Sequence, residues 1–110
     1  MQGDKYNKLV RDKIPEIIRK DNQYPVIRRA SEEEYRQKLL EKFGEEVNEF
    51  YREECTGELI DIVEVIYAIA KSKGIGKKQF DKIREQKRNE RDGFEKRIIL
   101  EEIRIKPDVL

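Results

Sequence analysis

Residues Glu58 to Ala70 read ELIDIVEVIYAIA. Ten of these thirteen residues are apolar, and the other three, Glu58, Asp61 and Glu64, are acids spaced three apart. At 100° per residue the acids span about 120° of a helix and leave about 240° apolar. A surface helix needs an apolar stripe of only about 100°, so this one is expected to be central and contacted from more than one side. No Lys or Arg interrupts the acidic face before Lys71. The contrast is informative because the chain as a whole is 45% charged and 36% hydrophobic.

Toward the N-terminus, Ser31 with Glu34 three residues on forms a capping box, which opens a long helix to about Glu54. Leu39, Leu40, Phe43, Val47, Phe50 and Tyr51 make its apolar stripe. Glu46 lies about 20° off one edge of the stripe, Glu49 about 80° off, and Glu45 nearly opposite. Cys55-Thr56-Gly57 is a tight turn, with Thr56 as the expected cap of a third helix from Gly57 to Lys73. So short a connection makes the two helices antiparallel neighbours. Folding about it is expected to set Glu49 near Asp61 and Glu46 near Glu64, with Glu58 one turn nearer the loop.

The rest of the chain adds two helices and two extended stretches. Pro15 suits a first helical turn, so a short helix is expected from Pro15 to Lys20. Tyr24 to Ala30 (YPVIRRA) reads as extended, a candidate strand. Gly74 should end the third helix in the left-handed conformation, and Gly76 should open a fourth that runs to about Arg91. Asp92-Gly93 breaks it, and FEKRIILEEIRI follows as a strand or extended arm able to pair with Val26 to Ala30. The expected fold is a single domain over residues 1–110. It is an all-α, four-helix bundle with a minor extended C-terminal arm, assembled as a dimer or higher oligomer.

Composition narrows the chemistry. The 110 residues include 25 basic and 24 acidic side chains, for a net charge of +1, which argues against a chain-wide footprint for nucleic acid. No run approaches the ~18 apolar residues of a membrane span, and no signal-peptide core is present. A single Cys cannot form an internal disulfide, which fits a reducing cytoplasm. With no His at all, imidazole catalysis and His-ligated metals are excluded, and one Cys excludes thiolate zinc clusters. Carboxylates, Lys, Arg, Tyr and hydroxyls remain.

Four or five carboxylates facing one another across a helix pair repel, and the cost grows where water is excluded. Protonation, cationic side chains or a bound divalent metal can relieve it. On pattern alone two readings stand: a solvated acidic face bridged by Lys and Arg, or a site for a hard cation such as Mg²⁺, which takes oxygen ligands.

Glu46-x-x-Glu49 followed by Glu58-x-x-Asp61 resembles the metal-binding signature of the all-α nucleoside triphosphate pyrophosphatases, which include MazG, the dimeric dUTPases and phosphoribosyl-ATP pyrophosphohydrolase. YNKLVRDKIPEII (Tyr6 to Ile18), KLLEKFGEEVNEF (Lys38 to Phe50) and GFEKRIIL (Gly93 to Leu100) extend the likeness to a MazG-related subgroup of short single-domain proteins. Two departures stand out. Eight residues separate Glu49 from Glu58, fewer than in MazG proper, and Asp92-Gly93 stands where two glycines are expected. The resemblance implies hydrolysis of a nucleoside triphosphate between the α and β phosphates, releasing a monophosphate and pyrophosphate. It implies Mg²⁺, with Mn²⁺ as a substitute, held by Glu46, Glu49, Glu58 and Asp61, with Glu49 accepting the proton of the attacking water. House-cleaning of non-canonical nucleotides is the implied role.

Phosphate charge also calls for fixed cations. Lys8, Arg11 and Lys13 sit within the family-like N-terminal block and are the first candidates, against a surface ion-pairing role with Asp12 and Glu16. Arg88 and Arg91 are further candidates on a helix that otherwise reads as a solvated charged face. Tyr67 is a core residue by position, with base stacking as the alternative. The broad apolar surface of the third helix exceeds what one chain can cover, so a homodimer or homotetramer is expected through helices two and three. The rival class is a non-enzymatic helical dimer that binds nucleic acid or a protein partner. It predicts salt-sensitive binding to nucleic acid and indifference to Mg²⁺.

Overall fold

The computed structural model describes residues 6–105, in the order α1 (Ile14–Lys20), α2 (Glu32–Glu53), α3 (Thr56–Ser72) and α4 (Lys77–Arg91). The described residues are all-helical and contain no strand. Ser31 opens α2 from an extended conformation, and its hydroxyl accepts the Glu34 backbone N–H at 3.2 Å. The reciprocal half of the capping box is absent, because the Glu34 carboxylate takes a two-pronged pair from Arg28 at 2.5 and 2.6 Å.

The α2–α3 turn differs by one residue from the sequence expectation. Cys55, not Thr56, caps α3, which starts at Thr56. Glu54 already reverses the chain with a left-handed φ of 48°, leaving Cys55 extended, as an N-cap residue must be. At the other end of α3, Gly74 takes φ 86°, a conformation costly for any residue with a Cβ.

α3 packs against α2 on one side and α4 on the other, as its wide apolar arc demands. Among the described residues, Leu39, Val65 and Ala70 are the only buried apolar ones. The α3–α4 seam is held by Tyr67, whose ring meets Phe80 edge-on at 5.4 Å. Its hydroxyl donates to Asp81 at 2.6 Å, while Lys77 reaches the other oxygen of that carboxylate at 2.9 Å and lies 5.0 Å from the Tyr67 ring centroid. Tyr67 therefore belongs to helix packing, not to an open base-stacking platform.

Two expectations about extended elements fail. Tyr24 to Ala30 is not a strand, and it makes no ladder with the C-terminal arm. A strand is stable only with a partner, and within the described residues neither segment finds one. The apolar residues of both lie open to solvent, Val26, Phe94, Ile103 and Ile105 among them. The molecule is correspondingly elongated. Its radius of gyration is 20.5 Å and its longest dimension 80 Å, where a compact chain of this length would have a radius near 13 Å.

Asp92 ends α4 with φ 61° and ψ −167°, a region almost reserved for glycine. A side chain there costs about 1–3 kcal/mol. The departure from the expected glycine pair thus falls on a strained residue. Asp92→Gly is expected to raise the unfolding free energy by about 1 kcal/mol, the relief of strain exceeding the entropy that glycine adds to the unfolded chain. Urea unfolding of the two proteins measures this, and a lower midpoint for the glycine variant would contradict it.

Candidate metal centre

Helices α2 and α3 bring Glu46, Glu58 and Asp61 together, each offering a carboxylate oxygen within 4.8 Å of the other two. Glu46 is 6% exposed and is the one buried charged residue among those described. One oxygen of Glu46 forms an ion pair at 3.2 Å with Lys42, one turn earlier on the same helix. Its other oxygen, Oε2, is buried without a partner, as is Oε2 of Glu58. The Glu49 carboxylate also acts on Glu58, helping to push its pKa up.

Glu46 gathers with Glu58 and Asp61, a register within about one helical turn of the expected pairing of Glu46 with Glu64 and Glu49 with Asp61. Glu58, one turn nearer the loop than Asp61, is part of the cluster. With only Glu54 and Cys55 between them, α2 and α3 pack as antiparallel neighbours.

Two of the three forms of relief open to clustered carboxylates are visible. The first is a proton. The neighbouring Glu46 carboxylate, the loss of surrounding water and the Glu49 carboxylate push Glu58 up to about 7. The second is cationic side chains. Besides Lys42, Arg11 Nη1 lies 3.4 Å from Asp61 Oδ1, and Nη2 lies 4.0 Å from Glu64 Oε1. Lys8 donates to Glu45 at 3.1 Å, and that bond, followed by the charges of Glu49 and Glu46, holds its ammonium above the ordinary lysine value.

The N-terminal candidates thus divide. Lys8 and Arg11 lie against the acidic helices, whereas Lys13 is the N-cap of α1 with an exposed side chain. Arg88 pairs with Glu95 at 3.1 Å, and both Arg88 and Arg91 sit on α4, which does not touch α2. Sequence reasoning missed Lys42 and Glu45. The i, i+4 spacing of Lys42 and Glu46 was a legible signal. Glu45, on the far side of the helical wheel, had none, because only the path of residues 6–13 makes it a partner. The surface concavities elsewhere are shallow, one along α4 between Lys78 and Asn89 and one on α2 among Glu45, Asn48, Tyr51 and Arg52.

The buried, unpartnered oxygens of Glu46 and Glu58 suit a cation, and a donor set made wholly of carboxylates suits a hard one. A carboxyl whose folded pKa is raised stabilises the fold below its unfolded value and loses that stability as pH rises through about 7. In chelator, the unfolding midpoint should therefore fall between about pH 5 and about pH 8 through Glu58. Glu58→Gln should flatten that fall, and excess Mg²⁺ or Mn²⁺ should flatten it in the parent protein. Thermal unfolding across this range tests the assignment, which a fall undiminished in Glu58→Gln would refute.

An uncharacterized protein of Mycolicibacterium smegmatis is 54% identical to this chain over 41 residues, a stretch covering 37% of this chain and 42% of that protein. The chain thus spans less than half the length of the relative it matches. No family profile and no solved structure matches the chain.

Proposed function

We propose that the protein is a Mg²⁺-dependent nucleoside triphosphate pyrophosphohydrolase, a single MazG-like domain that cleaves between the α and β phosphates. The observation that carries this reading is the convergence of Glu46, Glu58 and Asp61 around a buried carboxylate oxygen with no partner. Isolated surface acids do not leave a charged oxygen buried and unsatisfied, since the cost is several times that of an ordinary lost hydrogen bond. Glu46, Glu58 and Asp61 are the proposed ligands, with Glu49 beside them.

Mg²⁺, or Mn²⁺ in its place, supplies Lewis acidity toward phosphate oxygens and makes bound water more acidic. The chain's own residues do the rest. Glu49 accepts a proton from the attacking water. Lys8 and Arg11, already on the acidic helices, bind phosphate oxygens, and Arg11 can do so through two parallel hydrogen bonds. Lys13, exposed two residues beyond Arg11, adds positive potential at the rim. Arg88 and Arg91 remain candidates for the far end of the nucleotide, approached from α4.

The proposed assembly is a homodimer or homotetramer. α2 and α3 leave Leu40, Tyr51, Leu59, Ile60 and Val63 exposed on their outer faces. With three buried apolar side chains and a radius of gyration well above the compact value, one chain covers too little of its own apolar surface. A second copy is the simplest cover. Static light scattering at micromolar concentration should give at least twice the 13.2 kDa chain mass, and a monomer would count against the assembly.

A pyrophosphate-release screen over canonical and modified nucleoside triphosphates tests the activity. Turnover should require Mg²⁺ or Mn²⁺ and should fall by about a hundredfold or more in Asp61→Asn and in Glu46→Gln, the scale of losing a group that acts on developing charge. A protein that turns over no triphosphate and shows no metal-dependent thermal shift is not this enzyme.

A further inference from the structure

Asp61 belongs to two arrangements at once. Its carboxylate is one of the three that converge, and it is also the partner of the Arg11 guanidinium at 3.4 Å. A hard cation and Arg11 would therefore draw on the same negative charge. Lys42 neutralises Glu46 in a comparable way, but the two cations are not held alike. The Lys42 side chain is 18% exposed and rises from the same helix as its partner, whereas Arg11 is 60% exposed and rises from the non-helical stretch before α1.

That stretch is fastened to α2 without help from Arg11. Lys8 bonds Glu45 at 3.1 Å, and Lys38 donates to the Asn7 carbonyl at 2.8 Å. Asn7 itself turns the chain with φ 47°, a conformation asparagine tolerates better than most residues. The backbone beneath Arg11 is thus tethered while its guanidinium remains exposed. A planar guanidinium is suited to carboxylate and phosphate alike, because both accept its paired N–H donors.

We propose that Arg11 is an exchangeable counter-ion: it neutralises Asp61 when no divalent cation is bound, and turns to substrate phosphate when a cation takes Asp61. The inference rests on the metal reading given above and adds a coupling to it. Cation and triphosphate bind cooperatively, because the first releases the side chain that the second needs. Coupling of this kind is reciprocal, so each ligand strengthens the other by the same factor.

Calorimetric titration with Mn²⁺ alone, and then with inorganic triphosphate at saturating Mn²⁺, tests the exchange in the full chain. Exposed ion pairs are individually weak, so removing the competing charge in Arg11→Gln should tighten Mn²⁺ about two- to fivefold. The same variant should bind triphosphate about tenfold more weakly. Arg11→Lys keeps the positive charge, and its Mn²⁺ affinity should stay near that of the parent. Equal or weaker Mn²⁺ binding in Arg11→Gln, beside a parent that does bind Mn²⁺, overturns the exchange and leaves the metal reading standing. A folded parent that binds no Mn²⁺ overturns both.

Discussion

A carboxylate 6% exposed, in a helix pair with only three buried apolar side chains, is the constraint around which this molecule is arranged. Burying Glu46 is costly unless its charge is met, and Glu58 and Asp61 crowd it further. The cluster responds in three places. Lys42 takes one oxygen of Glu46, Glu58 holds its proton up to about 7, and Arg11 reaches in from outside the helices. The path of residues 6–13 brings Lys8 to Glu45 and Arg11 to Asp61 and Glu64. Even so, the Oε2 atoms of Glu46 and Glu58 remain unsatisfied.

Packing and chemistry meet on α3. Its acidic arc faces α2 and Arg11, while its apolar arc is divided between α2, α4 and an uncovered strip at Leu59, Ile60 and Val63. The Tyr67–Asp81–Lys77 network fixes α4 on one flank, so that flank cannot be the open one. The exposed apolar residues of α2 and α3 therefore lie on faces left free by both seams.

The sequence carried the helices well because each boundary rests on a local device. Ser31 caps α2, Gly74 takes the left-handed turn after α3 and Gly76 caps α4, all by chemistry confined to a few residues. It carried the extended segments poorly. Val26, Ile27 and Ile103 have the β-branched character of strands, but strand formation depends on a partner that no local pattern specifies. The shift of the α3 cap from Thr56 to Cys55 has the same origin, because the left-handed Glu54 sets where the next helix can start.

For the site, sequence alone determined the inventory and the faces. With no His and one Cys the donors had to be carboxylates, and helical periodicity placed Glu58, Asp61 and Glu64 on one arc. Which of them meet was decided only by the tertiary structure. The register of α2 against α3, and not helical periodicity, selects Glu58 and Asp61 as the partners of Glu46. The roles of Arg11, Glu45 and Glu64 were likewise decided in three dimensions. Their contacts join residues 50 and 37 positions apart in the chain, and through-space charge, not spacing, selects them.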